Sequence, residues 1–134
     1  MRVVFDTNVL ISGFITTAGT AQHVLTMALK RHTIILSEYI LGEMEHKLVT
    51  KLHIPDGEVK RTVAFLREKT LVLEISHPPK TSFHDKKDAP ILALIEASKA
   101  NYFVTGDKKL LGIRKVGPTV FVTPREAMEI LENA

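Results

Sequence analysis

Apolar residues follow two rhythms along this chain. Short unbroken runs at residues 2–5, 33–36, 70–75, 101–105 and 116–122 are rich in Val, Ile, Leu, Phe and Thr. Such runs read as short strands, the first of them buried on both faces as in parallel sheets. Between them the spacing changes to three and four. Val24, Leu25, Ala28 and Leu29 mark a helix over 21–31. Ile40, Leu41, Met44 and Leu48 mark another over 39–52, with Ser37 as its N-cap, and Val59, Val63 and Leu66 mark a third over 58–69. Residues 89–100 are apolar nearly all round, which predicts a buried helix with Pro90 in its first turn. Thr123-Pro-Arg-Glu126 caps a last helix ending near Glu132.

Punctuation separates these elements. Residues 11–20 hold Gly13, Thr16, Thr17, Gly19 and Thr20 and read as a loop or interrupted helix. Residues 77–84 contain the single Pro-Pro pair and read as an extended connector; 108–114 read as a short helix or turn. Strand and helix alternate throughout. The pattern predicts an α/β sandwich with a mainly parallel sheet of about five strands. No repeat or long linker divides the 134 residues, so one domain over 1–134 is expected.

Composition narrows the class of activity. A 45% hydrophobic and 25% charged chain excludes disorder as the default. The absence of Cys removes disulfides, thiolate zinc sites and thiol nucleophiles, and fits a reducing cytoplasm. No apolar run approaches the ~20 residues of a membrane span, and Asp6 breaks any secretory apolar stretch. The expectation is a cytoplasmic protein with no membrane contact. A net charge of +3 is compatible with a polyanionic partner.

The chemistry sits in acids. Asp6 ends the first apolar run, before Thr7, Asn8 and a second apolar segment. It is either a ligand-binding acid at the carboxyl edge of a sheet or only a turn residue or helix cap, and Asn8 is the local candidate to cap the helix that follows. Asp107 follows the fourth strand, Glu43 lies beside the inward stripe of its helix, and Asp88 begins the buried one. An acid placed like Glu43 must be solvated, paired or metal-bound, and an acid placed like Asp88 is also a routine helix cap. Four carboxylates able to converge on one sheet edge make a hard-oxygen site for Mg²⁺ or Mn²⁺.

Four segments occur in order: Asp6-Thr-Asn8 after Met-Arg-Val-Val-Phe, Glu43 in Ser37-Glu-Tyr-Ile-Leu-Gly-Glu43, Asp88-Ala-Pro-Ile-Leu-Ala93, and Val104-Thr-Gly-Asp107. In order and spacing they resemble PIN domains, Mg²⁺/Mn²⁺-dependent ribonucleases. The likeness is closest to small prokaryotic PIN proteins described as toxin components of toxin–antitoxin pairs, and the closing Thr123-Pro-Arg-Glu126 is similar too. The resemblance implies a three-layer α/β/α sandwich with five parallel strands in the order 3-2-1-4-5. It also implies metal-assisted hydrolysis of single-stranded RNA, an antitoxin protein partner and a homodimer. Asp6 and Asp107 would be direct metal ligands; Glu43 and Asp88 would hold a second ion or position the attacking water. A departure is Lys109, where many PIN domains carry a further acid or Asn. Both Asp85 and Asp88 precede the buried helix, and the following Ile91-Leu-Ala93 pattern favours Asp88.

Asn8 and Thr105 are candidates to hydrogen-bond the carboxylates, or else a helix cap and a strand residue. Lys86, Lys87, Lys108 and Lys109, and more remotely Lys51, Lys60 and Arg61, either contact RNA phosphates or form solvated faces. The six His are scattered and read as surface or loop residues. A haloacid-dehalogenase-type phosphatase would need a second Asp where Asn8 stands, and a receiver domain would need paired acids after its first strand. The rival from another class is a PIN fold that binds RNA or protein without cutting. Crowding four carboxylates also predicts at least one raised pKa.

Overall fold

Val3, Val4 and Phe5 are completely buried, and their strand, β1 (Arg2–Phe5), lies inside a six-stranded sheet. A computed structural model describes residues 1–81 and 85–134; Ser82 and Phe83 at the end of the connector, and His84, lie outside the described residues. The other strands are β2 (Thr33–Ser37), β3 (Leu71–Leu73), β4 (Tyr102–Val104), β5 (Lys115–Val116) and β6 (Thr119–Val122), ordered β3-β2-β1-β4-β6-β5. Every neighbouring pair is parallel except β5 with β6. The helices are α1 (Thr7–Ile15), α2 (Thr20–Arg31), α3 (Glu38–Thr50), α4 (Asp56–Lys69), α5 (Ala89–Ser98), α6 (Lys108–Leu111) and α7 (Pro124–Glu132). Together they make a three-layer α/β sandwich.

The sheet has six strands where five were expected. The run at 116–122 is broken by Gly117, at φ 56°, followed by Pro118. A left-handed glycine reverses the chain, and proline has no N–H to give a ladder. Lys115 and Val116 fold back antiparallel on Val120 and Thr119, while β6 takes the parallel place beside β4.

The chain runs from β1 outward through β2 to β3, then returns to lay β4 on β1's other side. The β1–β4 boundary is therefore the switch point where parallel sheets leave a crevice at their carboxyl ends. Phe5 pairs with Val104, so the next residues, Asp6 and Thr105, emerge side by side.

One local expectation is corrected. Asn8 does not cap α1; Asp6 does, its carboxylate accepting from the Thr7 N–H, and Asn8 lies inside the helix. Of the two readings of 11–20 the interrupted helix is the one found: α1 continues through Gly13 to Ile15 and α2 begins at Thr20. A Cβ at Gly13 would come within 2.6 Å of Leu25 Cδ2, 3.2 Å of Leu25 Cβ and 3.3 Å of the Ala21 carbonyl oxygen. Glycine here is a packing residue that lets α1 and α2 approach. Ser37 caps α3 through the Ile40 N–H, and Thr123 with Glu126 forms a reciprocal capping box on α7, both as the pattern predicts.

Two glycine substitutions should therefore act with opposite sign. Gly13→Ala gains helix propensity but overpacks the α1–α2 contact, for a net loss of about 1 kcal/mol. Gly42→Ala, with nothing within 4 Å of the added methyl, should stabilise by about 0.5–1 kcal/mol. Urea unfolding of both variants checks the pair.

Candidate active site

Asp6 is a carboxylate held almost out of water, 8% exposed, at the end of β1. Three bonds fix it. Its N–H donates to Val104 O at 2.9 Å, Oδ1 accepts the Thr7 N–H at 2.8 Å, and Oδ2 accepts the Thr105 hydroxyl at 2.7 Å. Thr105 is completely buried, and its Oγ1 also accepts the Asp107 N–H at 3.1 Å. One hydroxyl thus ties the two strand-end acids together. Asp107 itself is exposed and caps α6, with Oδ1 accepting from the N–H groups of Lys109 and Leu110. A cavity of about 420 Å³ opens between them, lined also by Asn8, Ser12, Ala21 and Pro124.

The other two acids approach from the helices. Glu43, half-buried on α3, accepts the Tyr39 hydroxyl at 3.4 Å. Asp88 precedes α5 at the end of a short 3₁₀ turn. Electrostatics links all four. Burial pushes the Asp6 carboxyl above the usual carboxylate range, against its two hydrogen bonds, and the charges of Glu43 and Asp107 push the same way. Asp88 is also raised, first by burial, then by Asp85 and Asp107, with a smaller push from Asp6. The Tyr39 hydroxyl is raised by burial and then by Glu43, with Asp88 contributing. Crowding is thus real, but burial is the larger cause at both raised acids.

The structure separates Asp85 from Asp88. Asp85 caps the turn through the Lys87 N–H, which holds its carboxyl below the usual range, and Lys109 Nζ at 3.2 Å adds to that. Asp85 has an ammonium group at hydrogen-bonding distance; Asp88 has none among the described residues, and the Lys109 charge only partly offsets its rise. Lys109 is turned onto Asp85, while Lys86, Lys87 and Lys108 are exposed around the rim. Lys51, Lys60 and Arg61 are exposed at the α3–α4 end. Among the described residues Asn8 makes no hydrogen bond to a carboxylate; its Oδ1 accepts from Lys47 Nζ at 3.2 Å.

Tyr39 and Lys47 escaped the sequence reading. Both lie one turn from Glu43 on α3, at i−4 and i+4, so the shared face was the available signal. His32 is not simply a surface residue either. It is half-buried, its Nε2 lying 3.1 Å from the Leu131 carbonyl oxygen and its Nδ1 3.0 Å from the chain's amino terminus.

The donor set fits a hard divalent ion. It is all oxygen, it carries uncompensated charge, and the nearby ammonium groups of Lys47 and Lys109 are bonded to Asn8 and Asp85. The hydroxyl of Thr7, next to Asp6, is buried with no partner among the described residues. Among the described residues no three acids or imidazoles stand close enough together to hold an ion as they are.

A switch-point crevice walled by strand-end acids places the chain among parallel α/β proteins with a site at the carboxyl edge of the sheet. The PIN domain family matches residues 2–109, so the chain belongs to the PIN-domain family. PIN domains are generally nucleases that use divalent metals. The fold is similar to a chain in the crystal structure of VapBC2 from Rickettsia felis bound to a DNA fragment from their promoter. That likeness has a TM-score of 0.67 and 14% identity, and spans 92% of this chain and 98% of that one. No curated protein matches the chain. Among the described residues no helix is long and apolar enough to cross a membrane.

The raised Asp6 carboxyl has a consequence for stability. A raised folded pKa means that the protonated form favours the fold, fully so below the unfolded value of about 3.9. That advantage is lost as pH rises through the folded pKa, so ionised Asp6 is a net cost near neutrality. Asp6→Asn, which keeps an acceptor for Thr7, should melt higher than wild type at pH 7 in chelator. The gap should close as pH falls through the carboxylate range.

Proposed function

We propose that this protein is a Mg²⁺- or Mn²⁺-dependent endoribonuclease that hydrolyses single-stranded RNA as the toxin of a toxin–antitoxin pair. One observation carries the reading. Asp6 and Asp107 are joined through the Thr105 hydroxyl at the switch point of the sheet, and the Asp6 charge there is left uncompensated.

In this reading Asp6 and Asp107 are the direct ligands, and Glu43 and Asp88 serve a second ion or position water. A bound divalent ion would lower the pKa of its water and neutralise charge on the leaving oxygen. The protein's part is placement. The Thr7 N–H and the Thr105 hydroxyl fix the Asp6 oxygens, and the α6 cap fixes Asp107. Lys86, Lys87 and Lys108 offer charge to RNA phosphates, with Lys109 shared with Asp85. Lys109 stands where many PIN domains carry a further acid or Asn, which favours one tightly held ion over two. The VapBC2 structure, which contains promoter DNA, supports an antitoxin as partner. A cytoplasmic homodimer with one PIN domain over 1–134 completes the proposal.

The rival reading is a PIN fold that binds without cutting, and cleavage assays decide between them. Purified protein should cut single-stranded RNA with Mn²⁺ or Mg²⁺ and not in chelator. Asp6→Asn should abolish cutting with an unchanged circular-dichroism spectrum; undiminished cutting by that variant would sink the assignment. Thr105→Val, which removes the hydroxyl but keeps the shape, should cost about 10–100-fold in rate.

Two solution measurements extend the test. Mn²⁺ at a hundredfold excess over its dissociation constant should stabilise wild type by about 2.7 kcal/mol, and Asp107→Asn by much less. RNA affinity should fall with salt at a log–log slope of about −0.7 per phosphate contact; a slope near zero would mean that the lysines are only solvated surface.

A further inference from the structure

A second cavity, of about 530 Å³, opens at the carboxyl ends of β2 and β3. Ser37 and Glu38 form one lip and Glu74 to Pro79 the other, with the first turn of α5 as floor. Tyr39 lines it and also donates to Glu43, so this side chain stands at the boundary between the cavity and the acid site.

We propose that this cavity binds an unpaired nucleobase of the RNA strand, one bearing an exocyclic amino group, with Tyr39 as its stacking platform. The proposal takes its substrate class from the nuclease reading and adds to it the place where a base is read. Size and lining fit. The volume lies within the range of small-ligand pockets, and Ile75, Pro78, Pro79, Pro90 and Ala93 give it apolar walls. Tyr39 lines the cavity and is 43% exposed, so the side chain is accessible to a ligand there. Single-stranded RNA is recognised by splaying bases onto aromatic rings and bonding their edges.

Charge decides which part of a nucleotide enters. The lining includes Glu38 and Glu74 and, among the described residues, no Lys or Arg. A phosphate would be repelled. A base amino group would be welcomed, since a carboxylate accepts from such a donor. Glu38 is already held by Arg67 through two bonds of 2.6 and 2.7 Å. Glu74 has no ion pair among the described residues and is the acceptor left to read the base.

Neutral nucleosides test this without metal and without phosphate repulsion. Cytidine, adenosine and uridine are titrated into the chelated full-length protein and followed by backbone and methyl NMR. The expected result is saturable shifts at Tyr39, Ala89 and Ala93. Binding should survive in Tyr39→Phe and weaken by about tenfold in Tyr39→Ala. Uridine should bind more weakly than cytidine or adenosine, and Glu74→Gln should close that gap. Shifts elsewhere, no shifts at all, or equal binding by Tyr39→Ala would overturn the pocket. Equal binding of uridine would overturn its amino selectivity. Failure of wild type to cut RNA with metal would overturn the nuclease reading while leaving the nucleoside result standing. Cutting with an unchanged KM in Tyr39→Ala would overturn the pocket alone.

Discussion

A carboxylate buried where two parallel strands end is expensive unless something answers its charge. Asp6 is answered only in part, by the Thr7 N–H and the Thr105 hydroxyl. One donor is supplied by the sheet and the other by the local turn. The register that pairs Phe5 with Val104 puts Thr105 beside Asp6, and the turn from β1 into α1 brings the helix's first N–H group to the same carboxylate. Thr105 then extends the unit to Asp107. Remove the β1–β4 pairing and the Thr105–Asp6 bond, the link between the two acids, is lost.

The surrounding charges are sorted in a way that keeps the site electronegative. Arg67 is spent on Glu38, Lys109 on Asp85 and Lys47 on Asn8. Asp6 and Asp88, which make no ion pair among the described residues, are raised by burial and by neighbouring acids. A fold that keeps such strain at one edge trades stability for a site able to hold something positive. The apolar sheet and its helices absorb that cost, with Val3 to Phe5, Ile35, Leu36 and Phe103 excluded from solvent.

Small residues set how closely the layers meet. Gly13 draws α1 against α2, and α2 in turn packs on α7, where His23 meets Glu132 and His32 meets the Leu131 carbonyl. This anchors α1, and with it the helix end that holds Asp6. On the other flank, α3 carries Tyr39, Glu43 and Lys47 at successive turns, so one helix face serves the cavity, the acid site and Asn8 together.

Much of this was legible in residues 1–134 alone, because burial writes itself into apolar spacing. The strand runs, the helix stripes, Ser37 and Thr123 as caps and the four acids all follow from local pattern, and their order carried the likeness to PIN domains. What local pattern could not carry was pairing. Whether Asp6 or Asn8 capped α1 depended on a carboxylate that also had to reach Thr105, ninety-nine positions away. Gly13 read as a breaker because its reason, Leu25, lies on another helix. Asp85 and Asp88 were nearly alike in sequence until Lys109 took one of them. Lys47 and Tyr39 gained meaning only when the fold turned their face of α3 toward the strand ends. Short-range forces set elements; which charges meet is decided by topology, since only the sheet brings distant residues within hydrogen-bonding distance.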